Sequence, residues 1–108
     1  MSTVLAESEF EKVADAMLQK LDRALNEVSG IEADLQMGVL SICFSDNTKY
    51  IVNSHRAAKQ IWMAAERAAW HFDYRDGQWI ATRNGEELVN AIELVLARKL
   101  NGEVKLSR

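Results

Sequence analysis

Apolar positions recur every three or four residues up to Val28, then every second residue, then every three or four again. In SEFEKVADAMLQKLDRALNEV, Phe10, Ala14, Met17, Leu21, Leu25 and Val28 fall on one stripe at helical spacing. A capping box opens the segment, with Ser8 as N-cap and Glu11 three residues on, and Ser29–Gly30 ends it. At Ile31 the period becomes two. Ile31, Ala33 and Leu35 alternate with Glu32, Asp34 and Gln36, as in a strand with one buried face. VLSICF, TKYIVN, KQIWMAA, AAWHFDY and QWIATR continue the pattern, with turn residues at SDN and RDG, and read as a meander of antiparallel strands. After Asn84–Gly85, EELVNAIELVLARKL returns to helical spacing. Leu88, Ala91, Ile92 and Val95 share a face there, and Asn101–Gly102 forms the stop.

One helix, about six strands and one helix over residues 1–108 predict a single α+β domain. Each strand has one apolar face, so both helices are expected on the same side of the sheet. The other face is left to solvent or to a partner. At this length a chain buries roughly 65% of its unfolded surface, enough for a core without disulfides or a structural metal. The lone Cys43 excludes a disulfide framework and reads as a small strand residue.

Charge narrows the function classes. Sixteen acids against thirteen bases give a net charge of −3, which argues against nucleic acid as a partner. No apolar run reaches the length of a membrane span. MSTVLAESE carries no basic residue before Lys12, unlike a secretory signal or transit peptide, so a cytoplasmic protein is expected.

All three tryptophans lie within QIWMAAERAAWHFDYRDGQW. If Ile61 and Met63 face the helices, Trp62 stands on the open face beside Gln60; alternatively a neighbouring side chain covers it. An exposed tryptophan on a sheet marks a contact site. Trp79, next to Ile80 after a tight turn, reads as core packing. Trp70, Phe72 and Tyr74 share one face, with His71 and Asp73 on the other. Arg56, Lys59 and Arg67 lie near these rings, but the glycine-aromatic motifs of an RNA-binding sheet are absent.

On the first helix Glu7, Glu11, Asp15 and Asp22 project within about 80° of one another. Glu32 and Asp34 share the polar face of the first strand. If that strand lies beside the helix, six carboxylates form one edge. This is either a solvated face, a site for hard cations that prefer oxygen ligands, or a contact for a basic partner. His55 and His71 are not at ligand spacing with a cysteine or a second histidine, and no nucleophile–base pattern or phosphate loop is present.

The chain resembles the bacterial frataxin family. The resemblance runs from SEFEKVADAMLQKL to the second helix and is most specific in YIVNSHRAAKQIWMAAERAAWHFDYRDGQWIATRNG. There the family's pattern is met by Asn53, Gln60, Ile61, Trp62, Asp73, Trp79, Arg83 and Gly85, and its helix-1 pair by Ala14–Asp15. It departs from the family in lacking a proline after Asn53, in ERAAW, which carries no glycine, and in NEVSG, where Glu27 is the lone carboxylate. The resemblance implies an α-β sandwich. It also implies weak iron binding (Fe²⁺ or Fe³⁺) on a ridge corresponding to Glu7, Glu11, Asp15, Asp22, Glu27, Glu32 and Asp34. Asn53, Gln60 and Trp62 would form a partner contact on the sheet. The implied role is iron–sulfur cluster assembly with a cysteine desulfurase and a scaffold protein, as a monomer that can oligomerise with iron.

The expected function is therefore a non-enzymatic iron donor or regulator. A ferroxidase acting at the carboxylate edge is the enzymatic alternative, although no buried Glu-x-x-His pair supports it. A metal-independent interaction domain is the third reading.

Overall fold

A computed structural model describes residues 6–107. Helix α1 spans Glu7–Leu25. Six strands follow: β1 (Ile31–Gln36), β2 (Val39–Phe44), β3 (Lys49–His55), β4 (Gln60–Ala64), β5 (Ala69–Arg75) and β6 (Gln78–Ala81). Helix α2 spans Leu88–Leu100. The strands form one antiparallel sheet in the order β1-β2-β3-β4-β5-β6, and both helices pack on its inner face.

The alternation read from the sequence holds in every strand. Leu40, Ile42, Phe44, Tyr50, Val52, Ile61, Met63, Phe72 and Trp79 are buried beneath the helices, while Ser41, Asn53, Trp62 and His71 take the open face. Two hairpins turn on pairs of left-handed residues, Met37–Gly38 (φ 48° and 79°) and Asp76–Gly77 (φ 50° and 81°). Such pairs match the right-handed twist of the flanking strands. At Gly38 a side chain would also collide with Ser54, since a Cβ there would lie 2.9 Å from its Oγ.

Helix α1 departs from expectation at both ends. Ser8 is not its N-cap: the helix begins at Glu7, Ala6 is the cap without a side-chain bond, and Phe10 N–H donates to the Ala6 carbonyl at 2.9 Å. Ser8 already lies inside the first turn. In place of a cap, Glu7 and Glu9 meet the positive end of the helix dipole. The buried stripe is Phe10, Ala14, Leu18, Leu21, Ala24 and Leu25. Met17 and Val28 are only partly buried against it, and Val28 falls beyond the helix.

The connection to β1 is made by Asn26. Its Nδ2 donates to the Asp22 carbonyl at 2.9 Å, and its Oδ1 accepts from Ala33 N–H at 3.2 Å. One side chain thus ends α1 and occupies the outward-facing edge of β1, which would otherwise be free to pair with another strand.

Helix α2 starts two residues after Glu86. Glu87 is the N-cap, its carboxylate accepting from Val89 N–H at 2.8 Å and Asn90 N–H at 3.2 Å. Asn101, left-handed at φ 56°, ends the helix at the expected place. Val104 and Leu106 are buried as the chain folds back, and Leu106 N–H donates to Glu93 Oε2 at 2.8 Å. Among the described residues no helix is long and apolar enough to cross a membrane.

Candidate functional site: an acidic ridge and an open sheet face

The carboxylates of α1 fall into two groups. At its start, Glu7 and Glu11 share one cation. Arg56, in the turn between β3 and β4, places Nε 2.7 Å from Glu11 and Nη1 3.5 Å from Glu7. At its end, Asp22 accepts from Asn26 Nδ2 at 3.3 Å and so lies beside β1, whose exposed face carries Glu32 and Asp34. Gln36 donates to Asp34 at 3.3 Å. Asp15, exposed, lies on α1 between the two groups.

Glu27 is placed apart from this edge. It lines a shallow depression with Lys20, Arg23 and Ser107, and it accepts from Ser107 Oγ at 2.6 Å. Among the described residues no three His, Cys, Asp or Glu side chains converge as a ready-made ligand set. The ridge is thus a row of carboxylates, exposed at Glu7, Asp15, Glu32 and Asp34 and half-buried at Glu11 and Asp22. Carboxylate oxygen suits hard cations, and a row without convergence offers one or two ligands at a time.

The second candidate surface is the open face. Asn53 on β3 pairs in register with Trp62 on β4, and Trp62 with His71 on β5. Trp62 Nε1 donates to Gln60 Oε1 at 2.8 Å, and Gln60 Nε2 donates to Asp73 Oδ1 at 2.9 Å. The three contact residues expected from the sequence are therefore close together. Trp62 is partly buried, and part of its cover comes from the imidazoles of His55 and His71. Sequence reasoning put His71 opposite the core but did not bring either histidine to Trp62. Counting register back from the turns would have found His71.

Charge is deployed differently on the core side. Lys99 of α2 reaches two loop carboxylates, Asp46 at 2.7 Å and Glu66 at 2.5 Å, and lies 5.4 Å from the centre of the Phe44 ring. Hydrogen bonds from Lys99 and Thr48 hold the Asp46 carboxyl well below the usual range. The two carboxylates raise Lys99 above the usual lysine range. Burial, with the nearby Glu66 charge, pushes the Tyr50 hydroxyl up. This cluster ties α2 to two turns.

Residues 3–102 match the frataxin-like domain. The chain belongs to the frataxin-like family. It is 36% identical over 107 residues to the "Iron-sulfur cluster assembly protein CyaY" of Ralstonia nicotianae, covering 94% of this chain and 95% of that protein. The protein of the same name from Tolumonas auensis is 29% identical over 103 residues, covering 94% and 99%. Among solved structures, a frataxin from Psychromonas ingrahamii superimposes with a TM-score of 0.88 at 27% identity, covering 96% of this chain and all of that one. A trimeric yeast frataxin complexed with ferrous ion shares the fold, with a TM-score of 0.66 at 24% identity and coverage of 94% and 91%. Both the family and the two-helix, six-strand frataxin fold agree with the sequence reading.

Proposed function

We propose that this frataxin-like chain acts in iron–sulfur cluster assembly without being an enzyme, as a weak iron-binding donor or regulator that docks on a cysteine desulfurase. The observation that carries the reading is the division into two surfaces. Carboxylates of α1 and β1 line one edge, and Trp62 with its neighbours stands on the adjoining open face. Family membership supports the assembly role, as does the name shared by the two bacterial relatives.

The ridge chemistry accounts for weak binding. Iron here is cargo. A cation held by one or two exposed carboxylates at a time is readily surrendered, whereas a converging set of four would keep it. Two of the ridge carboxylates already face Arg56, so the start of α1 exchanges one cation for another. Toward a partner, the same negative edge steers association with a basic surface, and the effect weakens with salt. The expected contribution of Trp62 is apolar contact, which governs dissociation.

Thermal melting with Ca²⁺, Mn²⁺ and anaerobic Fe²⁺ tests the metal reading. A cation selective for the folded state stabilises by RT ln(1 + [L]/Kd), about 1.4 kcal/mol at ten times Kd, or a few degrees for a domain of this size. Melting unchanged at millimolar metal would rule the ridge out as an iron site. Oxygen consumption that turns over with added Fe(II) would point to the ferroxidase reading instead.

A further inference from the structure

Trp62 is sandwiched. Its ring centre lies 3.8 Å from that of His55, with the planes 13° apart, and 4.3 Å from that of His71, with the planes 16° apart. The three rings come from three adjacent strands and form one parallel stack. The indole N–H is occupied by Gln60, Gln60 by Asp73, and the second oxygen of Asp73 lies 3.5 Å from Arg75. His55 is itself held, because its Nδ1 accepts from Ala58 N–H at 3.3 Å in the turn that follows.

An exposed tryptophan ordinarily offers a partner either a flat face to stack on or an N–H to accept from. This one offers neither, since both faces and the N–H are taken. What remains outward is the ring edge, flanked by two imidazole edges. The same lateral row continues through Asn53 to Val39, which is 40% exposed, and Met37 in the adjoining turn is fully exposed. Trp62, Val39 and Met37 are therefore the apolar members of this strip, and the polar groups around Trp62 are largely paired: Gln60 with Trp62 and Asp73, and Asn53 Nδ2 with the Ser54 carbonyl.

We propose that His55 and His71 are positioning residues that clamp Trp62 in one edge-on orientation, so that the partner protein packs apolar side chains against a three-ring element. This rests on the reading that Trp62 touches the desulfurase. The physical gain is preorganisation: a ring already fixed loses no rotamer freedom on binding. It also gives the imidazoles a role that needs neither metal nor proton transfer.

The test compares His71→Ala, His71→Phe and His55→Ala with the parent chain in two measurements. The first is ¹⁵N relaxation of the Trp62 indole N–H, which needs no partner. The second is binding to a cysteine desulfurase. His71→Ala is expected to increase indole mobility and to weaken binding roughly three- to ten-fold, the scale of immobilising one side chain. Its melting temperature should change little, since His71 is exposed. His71→Phe restores a flat ring and should rescue both readouts, which a merely structural role would not require. An unchanged indole in His71→Ala, or failure of the phenylalanine to rescue, overturns the clamp. Tighter binding by His71→Ala would also overturn it, by showing that the partner stacks on the indole face. A desulfurase that does not bind the parent chain overturns the partner reading instead, and the indole measurement then decides the clamp alone.

Discussion

Trp79 and Trp62 lie two strands apart on one sheet, on opposite faces. Trp79 is 3% exposed and packs edge-on against Phe10 at 6.0 Å and tilted against Tyr74 at 4.9 Å. Trp62 is held by two stacked imidazoles and one hydrogen bond, with no helix above it. Both side chains are fixed, but by different means: one by the density of the core, the other by a few directed contacts at the surface. A fixed aromatic ring therefore does not identify a core residue.

The largest expected effect separates these two sites. Trp79→Ala empties the contact between α1 and β6 and should cost about 3–5 kcal/mol, a large part of the roughly 5–15 kcal/mol available to a domain. Trp62→Ala removes a half-buried ring from the open face, with no helix packed on it, and should cost less, about 1 kcal/mol. Denaturant midpoints of the two variants, at equal slope, measure the difference. A Trp62→Ala chain that unfolds as early as Trp79→Ala would make the open face a second core.

Charge repeats the contrast. Lys99, with a side chain only 17% exposed, ties α2 to the turns bearing Asp46 and Glu66, whereas Arg56, 66% exposed, sits on the rim against Glu7 and Glu11. Lys99→Met should lower the melting temperature at pH 7 by more than any rim substitution. The pH dependence has a definite sign. Asp46 titrates below its ordinary value of 3.8, so its stabilisation is present above that pH and is lost as pH falls further. Lys99, raised above its ordinary 10.5, keeps its charge throughout this range. The melting difference between parent and Lys99→Met should therefore be constant from pH 8 to pH 5 and shrink below about pH 4. A difference that does not shrink at all between about pH 4 and pH 2 would mean that lost packing on Phe44, rather than the carboxylates, causes the destabilisation.

How much of this was legible in the sequence follows from the range of each interaction. The alternation of Ile61, Trp62 and Met63 is local, and it assigned Trp62 to the open face. The turn at RDG and the stop at Asn101–Gly102 are local as well. Helical projection and strand alternation likewise lined up Glu7, Glu11, Asp15, Asp22, Glu32 and Asp34, whereas the family string around Gln60–Trp62 added Glu27 and Asn53 and implied what the two surfaces would bind. Ser8 misled because a good capping residue can also sit within the first turn, and here the helix runs back to Glu7. The Lys99 cluster joins residues 53 and 33 positions apart, and no spacing rule reaches that far. Arg56 reaches Glu7 and Glu11 only because α1 crosses the sheet so that its start meets the β3–β4 turn, a consequence of packing.

Arg56 also supplies the smallest effect and the finest test of the rim. Glu7 and Glu11 are four residues apart on one helix, and a like-charge pair at that spacing costs roughly 0.2–0.5 kcal/mol. The guanidinium offsets that repulsion. Arg56→Gln should therefore lower stability by no more than about 0.5 kcal/mol, as for other exposed pairs. Its effect on cations should be more visible. Two unit charges about 4 Å apart in water interact by about 1 kcal/mol, and an exposed arginine swings partly aside when a cation arrives. Removing it should then tighten Mn²⁺ or anaerobic Fe²⁺ binding about five-fold at low salt, with the gain fading as ionic strength rises. Glu11→Gln should move affinity the other way. If Arg56→Gln binds metal no better than the parent chain while Asp22→Asn binds worse, the cation sits at the β1 end of the ridge, and the Glu7–Glu11 pair serves the partner alone.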